Sequence, residues 1–211
     1  SETITTIRRN QLGIRPYTSV IESNFFRGGA ATYQVGQVDL TAFYSNRLSD
    51  SNIQTDSLGD DYETFINSIH VSGMHRTTSE IASKQQLREQ NSGVIIHYKS
   101  NDNNLQLGIS YLQTEYDQPL IRQKSYYNQF EFNGKSNYLY GFTGSYQWQN
   151  VNVFGEMAQS KSGGTGSVIG VLASLTHQID MAIVLRHYDR DFHSFYGNAF
   201  GEGTRNINES G

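Results

Sequence analysis

Apolar and polar residues alternate in four successive runs between Tyr138 and Tyr188. Because successive side chains of a β-strand point to opposite faces, each run predicts a strand with one apolar and one polar face. The apolar positions of the runs are Tyr138, Tyr140, Phe142, Tyr146 and Trp148; Val151, Val153 and Met157; Ile169, Val171, Ala173 and Leu175; and Ile179, Met181, Ile183 and Leu185. The connections between the runs are short, so the pattern predicts an antiparallel meander whose apolar face meets either a protein core or lipid.

The same alternation recurs earlier in the chain and gives about nine predicted strands. They are 1–8, 26–35, 37–46, 92–100, 104–113, 137–148, 151–159, 167–176 and 179–188. Long and short connections alternate between them, as in bacterial outer-membrane barrels, where short periplasmic turns alternate with long outer loops. Aromatic residues near the strand ends agree with this interpretation. We therefore predict an all-β fold, an antiparallel meander that forms part of a transmembrane β-barrel.

Three long connections are predicted on the outer side of this barrel, at Arg47–Asn91, Glu115–Ser136 and Asp189–Arg205. Two short strand-like runs, 65–71 and 126–132, lie inside the first two connections. Assigning both runs to loops preserves the alternation of connection lengths.

Composition narrows the class of protein. The chain has 211 residues, no Cys and a formal net charge of −4, which speaks against a disulfide framework, a thiolate metal site and the basic footprint of a nucleic-acid-binding domain. Mean hydropathy is −0.56, and no apolar run approaches the roughly 20 residues that a membrane helix needs. Neither a signal peptide nor a closing strand is recognisable, so we expect residues 1–211 to be one segment of a barrel domain that is incomplete at both ends.

Several short motifs occur along the chain in a characteristic order. They are Arg15-Pro16-Tyr17, Phe26-Arg27-Gly28, Ala42-Phe43-Tyr44-Ser45, His75-Arg76-Thr77, Gly155-Glu156, Gly163-Gly164, Leu185-Arg186-His187-Tyr188 and Asn198–Gly203. In these motifs the chain resembles the barrel portion of a family of Bacteroidota proteins that carry an N-terminal helix-hairpin-helix domain. The resemblance spans nearly the whole chain and implies a fragment of an outer-membrane barrel of a Gram-negative bacterium. It brings no established activity, and without the helix-hairpin-helix part it implies no nucleic-acid contact.

Charged residues on the predicted polar faces are candidates for the barrel interior. These are Asp39, Lys99, Glu156, Asp180 and Arg186. Opposite charges on neighbouring strands can pair, and we expect Glu156 and Arg186 to do so. Such residues either form a structural network that closes the interior or filter solutes by charge, and both interpretations remain open.

A second candidate site lies in the longest predicted connection. Thr77 and Glu80 have the spacing of a capping box, which predicts the start of a short helix, and His75 and Arg76 directly precede it. An ordered element of this kind is either a capped loop helix or a constriction folded into the interior, with His75, Arg76 or Glu80 facing solute.

Two further sets of residues have the chemistry of reactive sites. His187, Asp189, Asp191 and His193 alternate along one face and have the donor atoms of a metal site, although solvated charges at a barrel rim are the better interpretation. Ser194 beside His193 supplies residue types found in hydrolases, but no nucleophile elbow surrounds it. We therefore assign no catalytic, cofactor-binding or metal-binding residues and no cofactor.

The sequence thus predicts an integral outer-membrane component, namely a pore, a plugged transporter or an envelope-assembly subunit without catalytic activity. Its expected partners are outer-membrane lipid and other envelope proteins, with no contact to nucleic acid. Two alternatives remain. One is a soluble lectin-like β-sheet module whose apolar faces pack on each other, and the other is a hydrolase at the barrel rim.

Overall fold

A computed structural model of the chain describes residues 14, 18, 25–58, 61–70, 75–121, 126, 129–176, 178–196 and 209–210. The strands are β1 (Gly28–Val35), β2 (Val38–Leu58), β3 (Asp61–His70), β4 (Leu87–Lys99), β5 (Leu105–Leu120), β6 (Gly134–Trp148), β7 (Val151–Ser160), β8 (Thr165–Thr176), β9 (Ile179–Tyr188) and the two-residue β10 (Glu209–Ser210). The helix that accompanies them is α1 (Thr78–Ala82). The predicted all-β class is confirmed. Within the described residues, no helix is long and apolar enough to cross a membrane.

All ten strands belong to one sheet. β1 pairs with β2, β2 pairs with β4, and each strand from β4 to β8 pairs with the next one, always antiparallel. The turns at Gly36–Gln37 and Gln149–Asn150 each begin with a residue of positive φ, at 60° and 49°. Positive φ at this position matches the twist of a tight hairpin, so these turns fix the register of the strands that they join.

The prediction that residues 47–91 form one long irregular loop is wrong for the first part of that range, which contains two strand segments. β2 continues to Leu58 and forms a hairpin with β3, which contains most of the strand-like run at 65–71. β4 pairs with β2 up to Ser49, and β3 pairs with β2 from Asp50 onward. The paired part of β2 and β3 therefore extends beyond Leu87, the first residue of β4. Only residues 59–60 connect β2 to β3, a short connection where the predicted alternation requires a long one.

Other boundaries follow the predicted strands more closely. Each predicted strand from 26–35 to 179–188 overlaps an observed one, and the predicted strand at 1–8 lies outside the described residues. β5 runs on to Leu120, deep into the loop predicted at 115–136. The described residues of the run at 126–132 form turns and bends instead of a strand.

The two faces of the sheet differ in chemistry and in exposure. Leu40, Ile96, Ile109 and Phe142 occupy one row of directly paired residues, and each is between 41% and 58% exposed. We call this side of the sheet the apolar face and the opposite side the polar face. Large exposed side chains of the apolar face also include Tyr33, Val35, Tyr44, Val94, Tyr140, Tyr146, Trp148, Val153, Met157, Ile169, Leu175, Ile179, Ile183 and Leu185. Buried polar residues of the sheet lie mainly on the polar face.

The strands are regularly staggered. The row of paired residues that contains Val38, the first residue of β2, reaches Leu185 in β9. β9 begins at Ile179, which is six positions earlier (185 − 179 = 6). We call the end of the sheet that carries the short turns the turn end. The position of this end therefore shifts by about one residue per strand over the six steps from β2 to β9.

A small hydrophobic core lies at the opposite end of the sheet, here called the loop end. Ile66 of β3, Leu87, Tyr116 and Leu120 are its buried members. The core forms where the β2–β3 hairpin meets the extended end of β5, through one parallel bridge between Ile66 and Leu120. It joins the loop-end extensions of the sheet to one another.

Candidate functional site

A cluster of polar side chains lies on the polar face near the loop end. The polar cluster consists of Ser45, Arg47, Ser49, Glu89, Asn91, Thr114 and Asn137. Strand pairing brings its members together, because Ser45 is in register with Asn91 and Arg47 with Glu89. Within this cluster Thr114 donates from Oγ1 to Asn91 Oδ1 at 2.6 Å.

Glu89 is the centre of the polar cluster and is only 2% exposed. Its Oε2 accepts hydrogen bonds from Arg47 Nη2 at 2.8 Å and from Ser49 Oγ at 3.3 Å. Its Oε1 accepts from Asn91 Nδ2 at 2.7 Å and from the Tyr196 hydroxyl in a short contact. A buried carboxylate is costly unless it is both paired and hydrogen-bonded, and these four donors meet that condition.

The Tyr196 hydroxyl is a permanent donor in this arrangement. Burial of the ring and the negative charge of Glu89 both raise the pKa of Tyr196 above its ordinary value. The hydroxyl therefore keeps its proton throughout the neutral range and can hold the carboxylate.

Tyr196 belongs to a segment that turns back over the polar face, residues 189–196, which we call the strap. Asp189 Oδ2 accepts from the Thr165 backbone N–H at 2.9 Å and from its hydroxyl at 2.7 Å, and these bonds lower the pKa of Asp189. Further along, the His193 N–H donates to Ser160 Oγ at 3.1 Å, and Asn137 Nδ2 donates to the His193 carbonyl at 2.8 Å. Residues 189–196 form no strand, as predicted for the connection at 189–205, but they lie against the polar face of the sheet; residues 197–205 lie outside the described part of the chain.

Aromatic contacts complete the attachment of the strap. The Phe195 ring lies 5.0 Å from the Phe132 ring and 5.9 Å from the Tyr116 ring, next to the hydrophobic core. The Tyr196 ring lies 4.8 Å from Phe26, which precedes β1. The strap thus combines hydrogen bonds to the polar cluster with ring contacts at its far end.

Three of the charged residues predicted from the sequence share one row on the polar face. Asp39, Glu156 and Arg186 are linked in this row by successive strand pairs. Val168 of β8 is the paired neighbour of both Glu156 and Arg186, so the spacing of two strand steps puts their Cα atoms about 10 Å apart. The structure brings them to the same face across one intervening strand.

Lys99 and Asp180 occupy the turn end, away from the polar cluster. Lys99 is the last residue of β4 and Asp180 the second residue of β9, and both are exposed. They lie with Asp39, the second residue of β2, at the end of the sheet that carries the short turns.

The capping box predicted at Thr77 and Glu80 is confirmed. Glu80 Oε2 accepts from the backbone N–H groups of Arg76 at 2.7 Å and Thr77 at 3.0 Å, which lowers the pKa of Glu80. His75 Nε2 bonds Asp50 Oδ2 at 2.8 Å, and Arg76 is exposed. α1 contributes no buried residue, and the segment that crosses the polar face is the strap.

The residues considered for metal binding are engaged in structural hydrogen bonds. His187 Nε2 contacts Asp189 Oδ1 at 3.1 Å, while His193 Nε2 donates to the Phe130 carbonyl at 2.7 Å. In the described part of the chain, no three His, Asp or Glu side chains come together as metal ligands.

Sequence reasoning missed the polar cluster and its link to Tyr196. A signal existed, because alternate positions of β4 and β5 remain polar at Glu89, Asn91 and Thr114. The neighbours Arg88, Gln90 and Glu115 are polar as well, so no contrast between two faces marks this part of the strands. No protein-family model, curated protein or solved structure matches this chain.

Proposed function

We propose that this chain contributes the wall of a transmembrane β-barrel in the outer membrane of a Gram-negative bacterium, and that the interior of the barrel is obstructed at its loop end. Its apolar face contacts lipid and its polar face lines the interior. Among the functions compatible with such a barrel, the strap favours a plugged transporter or envelope-assembly component over an open pore.

The inverted burial of the sheet carries the proposal. Asn91 and Asn137 are at most 2% exposed, whereas Ile109 and Ile169 of the apolar face are 58% and 57% exposed. A soluble sandwich would pack its apolar face on a second layer. Six aromatic residues of this face are between 49% and 71% exposed, namely Tyr33, Tyr44, Tyr140, Phe142, Tyr146 and Trp148. Together they present on the order of 600 Å², already as much as the largest apolar patch of a typical soluble monomer.

The dimensions of the apolar face agree with a membrane span. From Tyr138 to Trp148 the positions of β6 on the apolar face cover ten residue steps, or about 34 Å along the strand. At a tilt of about 35° this is a depth of about 28 Å, close to the band of roughly 25 Å on known barrels. The tilt of the strands follows if the short turns all lie at the same depth in the membrane. A stagger of six residues over six strand steps then tilts the strands by about 35° from the barrel axis, within the range for barrels.

Membrane extraction and gel migration test the proposal. We expect the folded protein to remain in the membrane fraction after washing with high salt and alkali, and to leave it only in detergent. An unboiled sample should migrate differently from a boiled one, because closed barrels resist unfolding by detergent alone. Recovery of a folded, aqueous protein without detergent would instead support the soluble lectin-like module.

A further inference from the structure

We propose that the strap, residues 189–196, is a releasable latch that closes the loop end of the interior and that Glu89 holds it shut through Tyr196. This inference rests on the proposed barrel and adds the device that would control passage through it.

The strap crosses the polar face strand by strand. Asp189 is bound at Thr165 of β8, His193 at Ser160 of β7 and at Asn137 of β6, and Tyr196 at Glu89 of β4. Four strand steps correspond to about 19 Å, and eight extended residues reach at most about 28 Å. The strap can therefore bridge the wall directly from β8 to β4, and it lies where a solute leaving the interior at the loop end would pass.

The sheet that forms the barrel wall keeps the contacts of Glu89 within β2 and β4 when the strap detaches. Three of the four donors to Glu89, on Arg47, Ser49 and Asn91, belong to β2 and β4, and only the Tyr196 hydroxyl belongs to the strap. After release Glu89 still has its ion pair, so the large cost of an unpaired buried charge does not arise. Opening then mainly breaks individual hydrogen bonds and ring contacts.

The attachment is also of the kind that opens locally. Phe192 is the buried apolar residue of the strap, and it packs over Gly164 and Gly166 at the β7–β8 connection. From His193 to Tyr196 the strap is partly exposed and is held by hydrogen bonds and aromatic contacts. Segments with few buried apolar contacts open at lower free energy than the core. Phe192 is thus the anchor, and the part of the strap around Tyr196 is the part that is released.

The experiment compares the conductance of a locked strap and of a weakened strap in planar bilayers. The chain has no Cys, so the double variant Ser160→Cys/His193→Cys, called the lock, places two thiols beside the contact of 3.1 Å between Ser160 Oγ and His193 N, and loss of free thiols shows that the disulfide has formed. We expect brief, rare conductance openings in the unmodified protein, none in the oxidised lock, and their return after reduction. Tyr196→Phe, which removes one hydrogen bond to a charged group, should raise the open fraction about tenfold.

Matched substitutions on the outer wall control for changes in stability. Tyr33→Phe and Glu115→Gln alter exposed residues of the apolar side and should leave the open fraction unchanged. A Tyr196→Phe variant that conducts like the unmodified protein, or an oxidised lock that still conducts, overturns the latch.

A second readout separates failure of the latch from failure of the barrel proposal. The rate of amide hydrogen exchange at His193, whose N–H donates to Ser160 Oγ in the attached strap, reports release of the strap in any medium. We expect this rate to rise about tenfold in the Tyr196→Phe variant. An unchanged rate refutes the latch even if the protein inserts into membranes, whereas a raised rate in a protein that stays soluble refutes the barrel and leaves the latch standing.

Discussion

Replacing Ile109 by Arg puts the lipid-facing assignment of the apolar face to a quantitative test. Ile109 is 58% exposed and lies four residues from the start of β5, between Ile96 and Phe142 in its row. In water, a substitution at so exposed a site changes stability by less than about 0.5 kcal/mol. At the midplane of a bilayer, Arg on the lipid face of a barrel costs about 2–4 kcal/mol. The two environments therefore predict different results for one change.

A second position on the same strand supplies the matched control. Gln113 lies on the same face four residues further along β5, which is about 14 Å along the strand and, at a tilt of about 35°, about 11 Å nearer the membrane surface. There Arg should cost only about 0–1 kcal/mol. The assay is reversible denaturant unfolding from lipid vesicles, with the free energies of unfolding of both variants referred to the unmodified chain.

The difference between the two variants decides the outcome. A destabilisation by Ile109→Arg that exceeds that of Gln113→Arg by about 2 kcal/mol corresponds to a roughly 30-fold change in the folding equilibrium. Equal and small effects at both depths would refute the lipid-facing assignment. They would mean that the apolar face meets water or a polar partner.

Three further predictions address the strap, the helix and the packing of the polar face. Since hydrogen bonds from Thr165 lower the pKa of Asp189, they stabilise the strap at neutral pH, and this contribution should disappear as the pH falls below about 4. Below that pH, hydrogen exchange of the Thr165 amide should accelerate in the unmodified chain, whereas the Asp189→Asn variant should show no such acceleration. Thr77→Ala removes the N-cap of α1 and should destabilise that helix by about 1 kcal/mol, measured by local amide exchange, with global unfolding unchanged because α1 buries no residue. Gly170→Ala would make a Cβ overlap with the Phe154 ring and should cost about 1–3 kcal/mol of unfolding free energy, which Phe154→Leu should relieve.

The sequence predicted the strands best where they carry an apolar face. From Val38 to Tyr44, and again from Ile179 to Leu185, every second residue is apolar, and the observed strands follow that period even though Phe43 and Val184 are apolar on the opposite face. The pattern depends on contrast between the faces. Past Tyr44 both faces of β2 are polar or mixed, so its continuation to Leu58 has no periodic signal, although the backbone hydrogen bonds continue.

The contacts of the strap with the polar face could not be predicted from the sequence for a different reason. Its contacts join residues far apart in sequence, such as Tyr196 and Glu89, which are separated by 107 positions. Local pattern marks where a strand begins and which face it presents, but it does not say which loop returns to cover a face. The capping box at Thr77 and Glu80 was predictable because both partners lie within one helical turn.

The stagger of the strands also changes how the charged residues of the polar face combine. Asp39 and Arg186 share one row, yet Asp39 is one residue from the start of β2 and Arg186 is seven residues from the start of β9. With the turns at one level, this difference of six residues separates them by about 20 Å along the strands. Residues of equal depth are instead Asp39, Lys99 and Asp180, all within two positions of a strand end at the turn end. A charge filter in such a barrel would therefore form at the turn end from these three side chains, while Arg186 would act deeper in the interior, closer to the strap.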